Sequence, residues 1–403
     1  MFKIAFRNIF RQKRRTILTL LTMLGGFALS SISIGYADGT YSYIIDQFTR
    51  TRIGHVQVHQ GDYLDEPSIY KTIEDYQSVG QTIQQVERVQ SWAPRLYSAG
   101  LASVGDQSAG VRVIGINPDR EAKATRFRKK IAAGENFSSP DAKEVLLGRG
   151  LAEILQAGIG EEAVIVSQAA DGSIANEAYR IRGIVESGNK MEDRTAFYLP
   201  LQEAQSLFVL PNQIHEIVVI AEKTEDVQQL VYTIEGELQQ ESLTVEPWME
   251  VAKSFYQAMR ADVQGMWIML FVIILVVAIG VLNTVLMSVL ERTREYGVLK
   301  AMGTRPAEIF RMVIYEVGIL SILSIIVGAL LAFVVNSYLA QQGIPYPEPV
   351  SIGGIEVSTL YGEVNIRSMY IPALTVFITA FLVSIFPALK AARIEPAEAM
   401  RMH

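Results

Sequence analysis

Apolar residues are concentrated in a few long runs separated by polar sequence. The most apolar run, Gly265 to Leu290, contains no ionisable side chain, and about 20 helical residues are enough to cross the hydrocarbon core of a bilayer. Three further runs are long enough to span it. The pattern therefore predicts transmembrane helices at 16–37, 265–290, 312–340 and 370–389. For the first run a secretory signal peptide is the alternative, but the run exceeds the roughly 15 apolar residues of a signal.

Between the first two spans, residues 38–262 show the alternation of a soluble α+β domain. Each end of this segment reads strand, helix, strand: IGHVQVHQ, TIEDYQSVGQTIQQVERV and QSWAPRLYSAG first, then IHEIVVIAEK, TEDVQQLVYTIEGELQQ and LTVEPW. The middle, roughly 101–210, has short β runs, including a hairpin with Asp171 and Gly172 near its tip. We therefore predict a membrane protein of four transmembrane α-helices, with a large α+β extracytoplasmic domain built of a split βαβ subdomain and an inserted β-rich lobe.

The distribution of Lys and Arg sets the orientation, because cytoplasmic flanks carry the excess of positive charge. Basic residues are frequent in segments 1–15, 291–311 and 390–403, whereas the loop 341–369 has only Arg367. Both termini are thus expected in the cytoplasm, with segment 38–262 outside. Segment 1–15 also predicts an amphipathic interfacial helix on the anionic inner leaflet, with one apolar and one basic face: Phe2, Ala5, Phe6, Ile9 and Phe10, against Lys3, Arg7, Arg11 and Arg14.

Composition agrees with this layout and narrows the function. Half of the 403 residues are apolar, 19% are charged, and the net charge is −6, which argues against a nucleic-acid partner. The chain has no cysteine, so an ordinary core must hold the external domain. His55 and His59 would share a strand face, but with only four His in the chain we predict no metal site and no catalytic constellation.

The polar segment ERTREYGVLKAMG, residues 291–303, lies between two very apolar runs. It predicts a short helix that Gly303 ends, and Thr304 with Pro306 suits the start of the next helix. Charges of both signs and the apolar Val298, Leu299 and Met302 suggest a surface that docks on another protein. A solvated connector is the alternative.

Small residues recur at every fourth position in the spans, a spacing that lets helix backbones approach closely in lipid. They are Gly26, Ser30, Ser31, Gly35, Gly280, Thr284, Ser288, Ser324, Gly328 and Ala332. Glu316 is expected to snorkel to the cytoplasmic edge near Arg311, and Asn283 to hydrogen-bond between helices. If helix runs unbroken from Trp248 to Leu290, it forms a stalk about 65 Å long.

Two motifs carry a family resemblance. The segment ERTREYGVLKAMGTRPAEIF and the ending FPALKAARIEPAEAMR resemble those of the FtsX-like permeases, the membrane subunits of ABC transporters related to macrolide exporters and lipoprotein-releasing systems. The resemblance covers essentially the whole chain. It implies a bacterial inner-membrane permease that works by mechanotransmission, with a second identical or paralogous permease subunit and a cytoplasmic ABC ATPase dimer.

The resemblance also assigns roles. ATP and Mg would be bound by the partner ATPase, because this chain has no P-loop and not even a Gly-Lys pair; we therefore expect a non-catalytic subunit without a cofactor of its own. The expected coupling residues are Glu291, Arg292, Arg294, Glu295, Gly297, Val298, Leu299, Lys300, Ala301, Met302 and Gly303.

The expected activity is extraction or export of a hydrophobic substrate, lipidated protein first, on the periplasmic side. The family also suggests a periplasmic carrier or adaptor as a partner, alongside membrane lipids. Here the hairpin from Ser167 to Tyr179 has no proline, unlike the hairpin that recruits the carrier in lipoprotein-releasing subunits. Three readings stay open: another lipid extractor, an efflux permease for small drugs or peptides, and a regulator that activates an envelope enzyme without moving cargo.

Overall fold

The computed structural model describes residues 7, 11, 13–352 and 355–399. Most of the predicted amphipathic segment 1–15 lies outside these residues. The described chain has 4 helices long and apolar enough to cross a membrane, Lys13–Ile53, Lys253–Glu291, Pro306–Gln342 and Ile366–Arg393, and the four predicted spans fall inside them. The chain divides into a membrane unit (up to Ser42, Met259–Pro345 and from Thr359 on) and an external unit (Tyr43–Ala258 and Tyr346–Ser358), which are described separately.

The helices have the following bounds. They are α1 (Lys13–Phe48), α2 (Tyr76–Gln85), α3 (Pro118–Ala124), α4 (Arg149–Leu155), α5 (Lys190–Asp193), α6 (Leu201–Leu207), α7 (Val227–Leu238), α8 (Trp248–Val251), α9 (Lys253–Glu291), α10 (Thr293–Ala301), α11 (Pro306–Gln342), α12 (Ile366–Arg393) and α13 (Pro396–Ala399). A π-helical turn, Thr49–Ile53, continues α1, and 3₁₀ turns occupy Phe127–Lys130 and Thr224–Asp226.

The strands have the following bounds. They are β1 (Val56–Gln60), β2 (Ile73–Glu74), β3 (Val89–Val104), β4 (Gln107–Ile116), β5 (Ile131–Gly134), β6 (Glu144–Gly148), β7 (Glu162–Gln168), β8 (Ile174–Val185), β9 (Ala196–Pro200), β10 (Gln213–Ile214), β11 (Glu216–Ala221), β12 (Leu243–Pro247), β13 (Ile344–Ile352) and β14 (Ile355–Leu360).

The predicted split βαβ subdomain is present in the external unit. The sheet begins β12-β1-β11-β3, and all three pairings are antiparallel. The unit β1-α2-β3 is therefore interleaved with the unit β11-α7-β12. Amphipathic α2 and α7 cover the sheet, and Gly80 of α2 lies directly against the ring of Trp92, where an added Cβ would come within 2.1 Å.

The predicted β-rich lobe is inserted between β3 and β11, but it shares a strand with the subdomain. The long strand β3 pairs with β11 near its start and with β4 and β7 toward its end. The strands are ordered β3-β4-β9-β6-β8, and β7 pairs with both β8 and β3. These six strands therefore close into a barrel. Closure removes the exposed edges that an open lobe would have.

The hairpin predicted at Asp171 and Gly172 is confirmed. Strands β7 and β8 pair antiparallel from Glu162 beside Arg180 to Gln168 beside Ile174. Gly172 adopts φ +86, and the Asp171 carboxylate accepts a hydrogen bond from the Ser173 N–H. This is the turn chemistry expected of an Asp-Gly pair.

The unbroken helix expected from Trp248 to Leu290 is wrong. Helix α8 ends at Val251, and Ala252 leaves helical geometry (φ −109, ψ 45) before α9 begins. Trp248 is buried, and its ring packs edge-on against Tyr256 with 5.7 Å between centroids. The Trp248 N–H also donates to the carbonyl of His55 at 3.0 Å. This bond ties the first turn to the residue that precedes β1, and the break at Ala252 separates that turn from the long helix. By length, α9 with its 39 residues extends about 58 Å.

In the membrane unit, α1 packs closely on two other helices through small residues. A Cβ added to Gly26 would lie 2.2 Å from Val277 of α9, and one added to Gly280 would lie 2.7 Å from Thr22. Gly328 of α11 lies against Phe27 in the same way. These glycines therefore permit backbone approaches that a larger residue would block.

The other predicted packing positions divide into two groups. Gly35 lies against Asn336, while Ser324 donates a hydrogen bond to the Leu20 carbonyl at 3.3 Å and one within its own helix. Thr284 bonds only within α9. The remaining predicted small residues lie in this unit with Ser30, Ser31 and Ala332 buried and Ser288 half-buried.

Two polar residues in the spans differ from expectation. Asn283 is exposed on α9, whereas buried Asn336 donates a hydrogen bond to the Ser31 carbonyl at 3.3 Å. Asn336 therefore joins α11 to α1, a role that the sequence analysis did not assign. A polar side chain inside a span is the signal that could have identified it.

Candidate ATPase-coupling site

Helix α10 is a separate short helix between α9 and α11. Arg292 breaks the helix (φ −100, ψ 11) before α10, and Gly303 ends the turn after it with φ +95, a region that favours glycine. The next helix is capped by Arg305 rather than Thr304: its backbone N–H donates to Glu308 at 2.9 Å, and Pro306 takes the first helical position. The predicted Thr304 start is thus one residue early.

One face of α10 is joined to α11 by a buried ion pair. Arg292 Nη1 lies 3.0 Å from Glu316 Oε2, and Arg292 Nε lies 3.0 Å from Glu295 Oε2. The Arg292 and Glu316 side chains are only 8% and 18% exposed. The expectation that Glu316 snorkels to the edge beside Arg311 is therefore wrong, because a closer cation on α10 pairs with it inside the unit.

Tyr296 completes this inner contact. The ring is 1% exposed, and the Arg292 guanidinium lies 5.3 Å from its centroid, within the range of a cation–π interaction. Burial raises the pKa of Tyr296 to about 12, so the phenol is neutral at physiological pH. Tyr296 was not expected to be buried, because the polar pattern of segment 291–303 does not show which face packs against the other helices.

The same face of α10 binds the C-terminal end of α12. Lys300 Nζ donates to the carbonyls of Ala392 and Ile394 at 3.1 and 2.7 Å. An ammonium at the carbonyl end of a helix is favourable, because it satisfies free acceptors and complements the helix dipole. Gly297 lies against α13, where an added Cβ would come 2.5 Å from Ala399.

The opposite face of α10 is exposed and mixed in character. Arg294, Val298, Ala301 and Met302 have helical spacing and are exposed, Met302 to 71%. We call these four residues the coupling surface. Of the remaining predicted coupling residues, Glu291, Glu295 and Gly303 are also exposed, whereas Leu299 is half-buried.

Two further ion pairs join this region to α1. Arg15 pairs with Glu291, and Arg11 pairs with Glu295 at 3.5 Å. The predicted coupling residues therefore separate into three sets. Arg292, Gly297 and Lys300 contact α11, α12 and α13. Glu291 and Glu295 are exposed and pair with Arg15 and Arg11, and the coupling surface is exposed.

The two histidines weighed as metal ligands have separate partners. His55 is held by Thr49, Thr224 and the Ala221 N–H, whereas His59 lies 3.5 and 3.4 Å from the carboxylates of Glu216 and Glu246. Among the residues that the structure describes, no group of three potential ligands could hold a metal ion.

Comparisons with known proteins agree with this architecture. The MacB-like periplasmic core domain matches residues 16–236, and the FtsX-like permease C-terminal domain matches residues 267–396. The lipoprotein-releasing system transmembrane protein LolC of Neisseria meningitidis is 21% identical, with 99% of this chain and 98% of that protein covered. The ABC transporter permease YtrF of Bacillus subtilis is 25% identical, with 98% and 97% covered.

A third relative is longer than this chain. The macrolide export ATP-binding/permease protein MacB of Campylobacter jejuni is 23% identical over 99% of this chain but only 61% of its own length. The first domain match alone covers more than half of the 403 residues. The chain therefore belongs to the FtsX-like permeases with a MacB-like periplasmic core domain, and it is a multi-pass, non-catalytic membrane subunit of an ABC transporter.

Proposed function

We propose that this permease couples ATP hydrolysis by a separate cytoplasmic ATPase to extraction or export of a hydrophobic substrate, lipidated protein first, on the periplasmic side. The observation that carries the proposal is the two-sided construction of α10. Its coupling surface is exposed, while Arg292 and Lys300 fix its other face to α11 and α12. A helix that is bound to its neighbours in this way passes a displacement of its exposed face on to α11 and α12, whereas a flexible connector would absorb it.

The lengths of α1 and α9 support mechanical transmission. With 36 and 39 residues, they extend about 54 and 58 Å, whereas a hydrocarbon core is about 30 Å thick. Each helix therefore continues well beyond the apolar layer without a break. A rotation or tilt at one end is then carried to the other end.

A lipidated substrate is supported by the similarity to LolC, whose name states a role in lipoprotein release. A second permease subunit is supported by α9, which buries Leu270, Val277, Val281, Val285 and Val289 and exposes Asn283 among its other residues. An exposed amide in a span is unfavourable in lipid. A neighbouring helix of another subunit could supply its partner.

The docking step is tested by coexpression with the cognate P-loop ATPase. Met302→Glu places a charge on the coupling surface, so we expect it to reduce both copurification of the ATPase and its stimulation. Met191→Glu is the matched control, since Met191 is similarly exposed, at 77%, but lies in the external unit. Equal ATPase coupling in both variants would exclude this surface as the docking site.

Mass spectrometry of the purified complex tests the substrate. We expect lipid or lipidated protein to copurify with the permease and to be lost during ATP turnover in proteoliposomes. Normal ATPase coupling without any such cargo would instead favour the regulator considered from the sequence.

The orientation can be tested directly, because the chain has no cysteine. Single substitutions Arg305→Cys and Met191→Cys then give labelling sites without background. With both termini in the cytoplasm, an impermeant maleimide applied to whole cells with a permeabilised outer membrane labels Met191→Cys only. Labelling of Arg305→Cys under these conditions would reverse the proposed topology.

A further inference from the structure

A polar cavity of about 230 Å³ lies in the external unit. Its walls come from the turn Thr49–Ile53, strands β1, β3, β4 and β11, and the 3₁₀ turn Phe127–Lys130. At about 30 Å³ per water molecule, the volume equals roughly seven or eight waters. The cavity is therefore large enough for a small metabolite.

Three carboxylates line the cavity, and each contacts a cation, with Arg95 shared between two of them. Arg95 binds Glu121 at 2.5 Å and Glu216 at 3.1 Å. Arg52 Nε lies 2.9 Å from Glu192. These pairs account for every acidic side chain that lines the cavity among the described residues.

Two further cations line the cavity without an ion pair to any residue that the structure describes. The Arg112 guanidinium lies over the ring of Tyr97, 4.3 Å from its centroid, and Lys130 Nζ donates to the carbonyl of Thr51. Neither partner carries a negative charge at physiological pH. The four lining cations, Arg52, Arg95, Arg112 and Lys130, therefore exceed the three lining carboxylates by one positive charge.

Gln57 adds an unused acceptor to the same wall. The residue is 2% exposed, and its Nε2 donates to the Ile53 carbonyl at 2.7 Å. With the amide held in this orientation, Oε1 is buried and accepts no hydrogen bond from the described residues. Buried polar atoms normally have partners, so a ligand that donates a hydrogen bond fits this position.

We propose that the cavity binds phosphate or a small phosphate monoester. Near pH 7 such a group carries about −1.5 to −2 charges, and the two cations without an ion pair, Arg112 and Lys130, are placed to bind it. The forked guanidinium donors suit phosphate oxygens. A hydroxyl of the monoester, or the remaining proton of inorganic phosphate, donates to Gln57 Oε1.

The site adjoins the points where both long helices meet the external unit. Arg52 lies in the turn that directly continues α1, and Val251, which also lines the cavity, is followed by Ala252 and then α9. Bound phosphate would therefore hold the ends of these helices to the sheet. This makes the external unit responsive to a soluble ligand, independently of which substrate the transporter moves.

The full-length protein in detergent provides the test, without any ATPase. Thermal shift and calorimetry are measured with inorganic phosphate and with sn-glycerol 3-phosphate, against glycerol and chloride at matched ionic strength. We expect at least one phosphate to bind and raise the melting temperature. Binding of inorganic phosphate alone would identify the free ion as the ligand, and preference for the ester would identify a headgroup-like molecule.

Variants assign the binding to this cavity. Removing one charged hydrogen-bond donor should weaken binding about tenfold to a hundredfold, so we expect this loss for Arg112→Gln. Gln57→Leu should weaken it about threefold to tenfold, the usual effect of one neutral hydrogen bond. Arg128→Gln is the matched control, because Arg128 lies in the same turn as Lys130 but pairs with exposed Asp119.

Proton uptake supplies a second readout. Burial lowers the pKa of Lys130 to about 8, with Glu192 and Glu121 opposing the shift and Arg95 and Arg52 reinforcing it. A bound anion stabilises the ammonium, so binding at pH 8 should take up as much as about half a proton. Calorimetry in buffers of different ionisation enthalpy measures this uptake, which Lys130→Met should abolish.

Two results would overturn the proposal. One is the absence of heat and of a thermal shift with either phosphate at millimolar concentration. The other is unchanged affinity in Arg112→Gln at an unchanged melting temperature, or an equal loss in Arg128→Gln. Either result would leave the cavity as a structural ion-pair network, and neither would bear on the proposed transport function.

Discussion

The ion pair between Arg292 and Glu316 gives the sharpest test of how α10 is fixed to the membrane helices. The two side chains are 8% and 18% exposed and their nearest atoms are 3.0 Å apart. Arg292→Met removes the cation and leaves the Glu316 carboxylate buried. Glu316→Gln keeps the shape but leaves Arg292 with Glu295, which is 45% exposed and therefore well solvated.

The two substitutions should differ in cost. Removing one partner of a buried ion pair costs about 3–5 kcal/mol, because the other charge stays without compensation; we expect this for Arg292→Met. Glu316→Gln should cost about 1–3 kcal/mol, since Glu295 still neutralises the arginine. In the double variant no charge is stranded, so the combined cost should fall below the sum by about 1–3 kcal/mol.

Unfolding of the full chain in mixed micelles, titrated with denaturing detergent, measures these differences. Arg294→Met serves as the control, because Arg294 is exposed on the coupling surface of the same helix. It should change stability by less than about 0.5 kcal/mol and yet lower ATPase stimulation. Additivity of Arg292→Met and Glu316→Gln within about 0.5 kcal/mol would refute the idea that this pair holds α10 in place.

Three further predictions concern packing and pH. Gly26→Ala should lower the melting temperature, because its Cβ would lie 2.2 Å from Val277 Cγ2; Val277→Ala should restore part of the loss, and no rescue would argue against this contact. Gly80→Ala should destabilise the external unit in proteolysis assays, since the Trp92 ring would be 2.1 Å from the new atom. Burial lowers the pKa of His215 from 6.5 to about 4. The unfolded chain therefore binds the proton first, and stability should fall by about 3 kcal/mol as pH drops from 6.5 to 4. The acid shift in melting temperature should shrink in His215→Gln and would be unchanged if His215 did not contribute.

The sequence predicts the elements whose pattern is local. The four spans follow from the length of the apolar runs. The split βαβ subdomain follows from the strand, helix, strand pattern of polar and apolar residues, which occurs at both ends of the segment. The closed barrel could not be predicted in this way, because it depends on pairing of β7 with the distant β3. Alternation along a strand indicates which side is buried, but it does not identify the neighbouring strand.

The sequence predicts where the coupling site lies along the chain, but it does not predict which residues contact each other there. Spacing alone does not show that Lys300 reaches the end of α12 or that Gly297 packs on α13, since those partners lie about a hundred residues later. The break at Ala252 is also not visible, because Ala is a strong helix former. Burial of Trp248 and the hydrogen bond from its N–H to the His55 carbonyl outweigh that preference.

The pairing of β1 with β12 limits how the two long helices can move. These neighbouring strands run from Val56 beside Pro247 to Gln60 beside Leu243, and β1 follows α1 while β12 precedes α9. Adjacent strands are about 4.8 Å apart, and the rings of Phe48 and Phe255 stack at 4.9 Å. The outer ends of α1 and α9 cannot separate without breaking the backbone hydrogen bonds between β1 and β12. If the proposed mechanical coupling is right, any movement of one outer helix end therefore carries the other with it.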